Sequence, residues 1–161
     1  MDTKNIKLKN QNMKIRKGNT RDLPSIHNLI CELASFENEP DAVATTADSI
    51  SNDFANGHFK AFVAENESDG KIIGAAIYYT AYSTWNGPYL WLEDLIVSEH
   101  FRRKGIGKLL MDCLIVEAKS AEIPFIKWQV LDWNNPAIEF YKKLNATPEN
   151  EWITWRLRTI N

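Results

Sequence analysis

At 161 residues, 44% hydrophobic and 25% charged, the chain can bury one ordinary core without metal or disulfide staples. A formal net charge of -2 argues against a broad electrostatic grip on nucleic acid, and no apolar run is long enough to span a membrane. Cys31 and Cys113 lie far apart without metal-ligand spacing and read as buried free thiols on apolar helix faces, which suits a reducing cytoplasm.

The opening MDTKNIKLKNQN has almost nothing to bury and no signal-peptide pattern. Residues 1–12 therefore read as a flexible tail and 13–161 as a single domain. Lys14 to Arg16 is a first short strand. Thr20 is a candidate N-cap, and Leu23, Ile26, Leu29, Ile30 and Leu33 then recur at helical spacing. The segment from Phe36 to Asp41 is acidic and breaks at Pro40. A second helix is predicted from about Thr46 to Asn56, stopped by Gly57.

Phe59 to Glu65 and Lys71 to Tyr82 are β-rich, with the turn-forming Asn66 to Gly70 between them, and read as a hairpin. Asn86-Gly87-Pro88 turns the chain into a strand from Tyr89 to Val97. A helix follows from about Gly105 to Ala121, with Ile106, Leu109, Leu110, Cys113 and Leu114 facing the core. Phe125 to Leu131 is another strand. Asn135 caps a short helix with Pro136 in its first turn, and Trp152 to Thr159 forms a last strand.

Two features carry chemistry. Arg102-Arg103-Lys104-Gly105-Ile106-Gly107 is a basic turn opening a helix, where successive N–H groups and the positive dipole end face one place. It lacks the Gly-Lys-Ser/Thr ending of a P-loop and the third glycine of a dinucleotide fingerprint. Just before it, Leu92-Glu93-Asp94-Leu95-Ile96-Val97 places two adjacent acids in an otherwise apolar run, which needs an explanation. His27, His58 and His100 share no spacing with each other or with a cysteine and read as surface or loop residues.

The basic turn resembles the Gln/Arg-x-x-Gly-x-Gly/Ala pyrophosphate turn of the GNAT superfamily of acyl-CoA-dependent N-acetyltransferases. Asn134-Asn135-Pro136-Ala137-Ile138-Glu139-Phe140-Tyr141 is similar to that superfamily's Asn-x-Pro-Ala-x-x-x-Tyr pattern. With Tyr89 to Asp94 and the closing Trp155-Arg156-Leu157, the chain looks most like the spermidine/spermine (diamine) branch, from about Met13 to its end. The resemblance implies an α/β (α+β) GNAT fold: a mixed, mostly antiparallel central sheet of about six to seven strands, splayed beside the strand Trp91 to Val97, with about four helices. It also implies a cytoplasmic homodimer.

The chemistry implied is acetyl transfer from acetyl-CoA to a primary amine of a small cationic molecule, by direct attack in a ternary complex and without a metal. Leu95, Ile96, Val97, Arg102, Arg103, Lys104, Gly105, Ile106, Gly107, Lys108, Asn134 and Tyr141 would hold the donor. Glu93 would take the proton of an ammonium whose pKa is about 10.4, and Tyr141 would supply one to the leaving thiolate. Glu37, Glu93, Asp94 and Trp155 would contact the cationic acceptor, with Glu39 and Asp41 adding nearby charge. One departure is Arg103, where several relatives in this branch have Gly. The alternatives are an amino acid, an aminoglycoside or a protein N-terminus as acceptor, or a non-catalytic acyl-CoA sensor.

Overall fold

The structure, a computed structural model, describes residues 6–7 and 12–159. The chain divides into two compact units, Met1–Trp128 and Gln129–Asn161. In the first, β1 (Ile6–Lys7), β2 (Met13–Lys17), β3 (Lys60–Asn66), β4 (Ile72–Ser83), β5 (Gly87–Val97) and β6 (Ile126–Lys127) form one six-stranded sheet in that order. Neighbours are antiparallel except β5 and β6, which run parallel because α3 (Ile106–Ser120) carries the chain across between them. α1 (Leu23–Phe36) and α2 (Ala47–Ala55) are inserted between β2 and β3. This is the mixed, mostly antiparallel sheet that was expected. Most of the tail expected over residues 1–12 lies outside the described residues, and its Ile6–Lys7 pairs with β2.

The sheet buries apolar side chains on both faces. On one, Leu23, Ile26 and Leu29 of α1 and Ile50 of α2 pack on Ala61, Val63, Ala75, Ile77 and Ile96, with Ile30 and Leu33 at the margin. On the other, α3 presses close to β4 because residue 74 is glycine. A Cβ there would stand 3.0 Å from the Ile96 carbonyl oxygen and 3.4 Å from Ile106 Cγ2. Phe62 and Tyr78 stack on this face at 5.5 Å between ring centroids. α3 buries Ile106, Leu110, Met111, Cys113 and Leu114, whereas the expected Leu109 is only half-buried.

The cap of the first helical segment falls at Asn19, one residue before the expected Thr20. A 3-10 turn, Thr20–Asp22, precedes α1, and Asn19 Oδ1 accepts from the Arg21 N–H. Asp22 closes the same turn by accepting from the Asn19 N–H at 2.8 Å and from both terminal nitrogens of Arg16 at 2.7 and 2.8 Å. Arg16 Nε also donates to Glu65 Oε2 at 2.7 Å, so one guanidinium ties β2, β3 and the start of α1 together.

The second unit holds α4 (Asn135–Lys143) and a long extended segment. Two expected strands are corrected. Phe125 to Leu131 shortens to Ile126–Lys127, and Trp152 to Thr159 forms no strand. A strand needs a ladder, and this apolar segment has none among the described residues. Trp152, Ile153, Trp155 and Leu157 are 70–89% exposed. A side-chain bond there runs from Gln129 Nε2 to Thr154 Oγ1 at 2.7 Å.

Burial pushes the Asp22 carboxyl up, but Arg16 and the Asn19 N–H outweigh it and hold the group below its ordinary value. A depressed native value stabilises the fold fully above the unfolded value of about 3.9 and is lost as pH falls through the native one. Asp22→Asn should therefore lower the free energy of unfolding by about 3 kcal/mol at pH 7. Urea melts across pH should show this difference from the parent shrinking below about pH 4.

Candidate active site

β4 and β5 pair from Ser83↔Gly87 to Gly74↔Val97, but the register slips by one residue between Ile77 and Tyr78. Tyr78 pairs with Leu92 and Ile77 with Asp94, so Glu93 is the extra residue of a β-bulge. The bulge changes which face consecutive even positions occupy. Leu92 sits opposite Tyr78 on the α3 face, whereas Asp94 and Ile96 sit opposite Ile77 and Ala75 on the α1 face. Glu93, freed from the ladder, is exposed, which corrects the expectation of a buried acid pair. Its Oε2 accepts from the Trp91 indole Nε1–H at 2.8 Å. Trp91 pairs with Tyr79, and Tyr89, two residues earlier on the same face, stacks on Phe125 at 5.1 Å.

Asp94 lies between negative neighbours. Burial first, then the charges of Glu93 and Glu37, push its carboxyl up to about 6. Glu37, which ends α1 as its C-cap, is itself raised by burial. Burial first, then Glu93 and Tyr89, raises the Tyr79 phenol. The fold thus brings together three of the expected acceptor-binding acids, Glu37, Glu93 and Asp94, beside an aromatic strand face. Among the described residues no cation is paired with any of them. Glu39 and Asp41 are exposed beyond α1, around the 3-10 turn Pro40–Ala42.

The β5–β6 ladder has two pairs, Leu90↔Ile126 and Trp91↔Lys127, so β6 offers no pairing to Leu92–Val97. Past Val97 a 3-10 turn, Glu99–Phe101, leads into the basic loop. Gly105 is the N-cap of α3 at φ +80° and makes no side-chain cap bond. The first-turn N–H groups of Ile106, Gly107 and Lys108 thus receive no bond from a capping side chain, at a helix start that follows Arg103 and Lys104 in the chain. This suits a pyrophosphate. Arg103 takes φ +60°, a left-handed conformation in which glycine carries no penalty. Arg102 differs from the expected anion ligand in its aim. Its Nε donates to the Val97 carbonyl at 3.0 Å and its guanidinium lies 5.1 Å from the Phe36 ring centroid.

In the second unit, Asn134 is the N-cap of α4, its Oδ1 accepting from the Ala137 N–H at 3.3 Å, which moves the cap one residue back from the expected Asn135. Tyr141 is half-buried in the last turns of α4, its ring edge-on to Phe140 at 5.2 Å. Trp155, the expected groove wall, is 89% exposed on the extended segment. Sequence reasoning passed over Trp91 and Tyr79. The spacing of two from Tyr89 through Trp91 to Glu93 is a signal that the first shares a face with Glu93. Tyr79 depends on a register that one sequence does not reveal.

A basic loop at a helix start without a side-chain cap, a strand edge that has no further ladder partner among the described residues and an acid cluster agree with a transferase of the acetyltransferase class. The model of the Acetyltransferase (GNAT) family matches residues 23–146, and the chain belongs to that family. It is 37% identical to a thialysine N-epsilon-acetyltransferase of Caenorhabditis elegans, over 80% of this chain and 81% of that protein. It is 32% identical to the Mus musculus protein of the same name, over 89% and 91%. A Homo sapiens spermidine/spermine N(1)-acetyltransferase-like protein 1 is 32% identical over 91% of this chain but 22% of its own length. The fold matches a crystal structure of an aminoglycoside acetyltransferase from an uncultured soil metagenomic sample. The TM-score is 0.77 at 21% identity, covering 92% of this chain and 97% of that one.

Two outcomes follow for stability. A carboxyl raised above its unfolded value of about 3.9 costs nothing below both values, costs progressively more as pH rises from the unfolded to the native one, and costs its full amount above the native value. Asp94→Asn should thus stabilise by up to about 2–3 kcal/mol at pH 8, with the gain gone below about pH 4 in the same melts. Arg103→Gly should relieve about 1–2 kcal/mol of left-handed strain against about 0.5–1 kcal/mol of added chain entropy. Its urea midpoint should rise by up to about 1 kcal/mol equivalent at an unchanged m-value.

Proposed function

We propose that this acetyltransferase moves acetyl from acetyl-CoA to a primary amine of a small di- or polycationic acceptor such as a diamine, a polyamine or thialysine. The observation that carries this reading is the acid cluster Glu37, Glu93 and Asp94, with no paired cation among the described residues and set beside Trp91 and Tyr79. A groove of this charge concentrates cations and disfavours anionic acceptors. The thialysine and polyamine names of the similar proteins agree with it.

When bound, acetyl-CoA supplies the thioester carbonyl that the amine attacks. The α3 N-terminus, Arg103, Lys104 and Lys108 would seat its phosphates, and the edge of Leu95, Ile96 and Val97 its amide-bearing arm. Asn134, assigned to the cofactor by its match to the family pattern, has its oxygen engaged in the cap of α4. Glu93 accepts the ammonium proton so that the nitrogen lone pair can form the new C–N bond. Asp94 and Glu37 hold the second cationic group. Tyr141, assigned by its offset from Asn134 and Pro136, returns a proton to sulfur as the C–S bond breaks. The exposed apolar run from Trp152 to Leu157, with Trp155 as an acceptor wall, is assigned to a homodimer contact. The free thiols suit a cytoplasmic location.

Thiol release from acetyl-CoA should be measured with putrescine, spermidine, spermine, thialysine, lysine, an aminoglycoside and a neutral-tailed peptide. Turnover should favour the di- and polycationic small amines, and Glu93→Gln should lower kcat about 100-fold with acetyl-CoA affinity kept. Undiminished turnover by Glu93→Gln, or equal turnover of the neutral-tailed peptide, contradicts the reading.

A further inference from the structure

We infer that Trp91 is the positioning residue for the Glu93 carboxylate, fixing which oxygen receives the proton. The inference rests on the assignment of Glu93 as proton acceptor and goes one residue further. The bulge removes Glu93 from the ladder and turns its side chain to solvent, where a three-bond chain has many rotamers. What holds it is the bond from Trp91 Nε1–H to Oε2 at 2.8 Å. An indole nitrogen is a donor only, so it can bind the carboxylate and cannot compete for the proton. With Oε2 engaged, Oε1 is the oxygen left to meet an ammonium.

The choice of donor matters for charge. A lysine or arginine at position 91 would fix Glu93 equally well, but it would neutralise the cluster that raises Asp94 and would repel a cationic acceptor. The indole gives a charge-assisted bond while bringing no charge. Trp91 is itself held, since it pairs with Tyr79 in β4 and its neighbours Leu90 and Leu92 are buried. The donor thus sits on the rigid sheet while the acceptor sits on the bulge. Precision in the second is supplied by the first.

The test compares Trp91→Phe, Glu93→Gln and the double variant, all with acetyl-CoA and a diamine. Trp91→Phe should lower kcat about tenfold with the KM for acetyl-CoA unchanged. The double variant should be no slower than Glu93→Gln, because Trp91 acts through Glu93 alone. With hydroxylamine, whose nitrogen is largely unprotonated at neutral pH, the Trp91→Phe deficit should disappear. A deficit that persists with hydroxylamine, or that adds to that of Glu93→Gln, shows a merely structural role and overturns the inference. So does full activity of Trp91→Phe while Glu93→Gln is impaired. Full activity of Glu93→Gln instead removes the underlying assignment. If Trp91→Phe does not fold, Trp91→Leu takes its place with the same expectations, since it too carries no hydrogen-bond donor.

Discussion

One extra residue in β5 organises the functional half of this fold. Because side chains alternate along a strand, a ladder without the slip at Ile77/Tyr78 would keep Leu90, Leu92, Asp94 and Ile96 on one face. Asp94 would then lie among the apolar side chains that α3 covers. With the slip, Leu90 and Leu92 stay on that face while Asp94 and Ile96 move to the α1 side. The unpaired residue is Glu93, and its carboxylate swings back to Trp91. The long register of β4 with β5 on both sides of the slip offsets the lost pair.

The chain contains two acid clusters built on opposite principles. Asp22 and Glu65 share Arg16, and every short contact there is a charge-assisted bond between elements that must stay together. Glu37, Glu93 and Asp94 have no such cation among the described residues, and burial together with the charges of Glu93 and Glu37 raises the Asp94 carboxyl. The first arrangement stabilises; the second stores repulsion in the native state. A protein tolerates stored repulsion at a functional site where an external cation relieves it.

The sequence made the elements visible wherever pattern was local. The apolar spacing of α1 and α3 and the hairpin turn at Asn66 to Gly70 each needed only neighbours, and the structure has them within a residue or two. Failures came where a partner decides. Trp152 to Thr159 has strand composition, yet composition cannot supply a ladder. The β-rich Phe125 to Leu131 keeps two strand residues for the same reason. In the site, the two acids and the glycine turn were legible, but their environments were not. Glu93 looked buried because its neighbours are apolar, and a bulge is a property of two strands at once. Trp91 was passed over because an aromatic on a strand ordinarily means packing.

The end of α1 connects the remaining parts. Phe36 lies under the Arg102 guanidinium, and Arg102 in turn binds the carbonyl of Val97, the last residue of β5. The next residue, Glu37, acts electrostatically on Asp94. Adjacent residues of one helix end therefore touch both the basic loop and the acid cluster. That arrangement explains why the Arg102 side chain is turned toward the end of α1. Arg102 therefore ties the start of the basic loop to the end of α1 and to the end of β5. A lysine at 102 would keep the charge but lose the flat face over Phe36 and the directed Nε bond, which is why the two cations are not equivalent here.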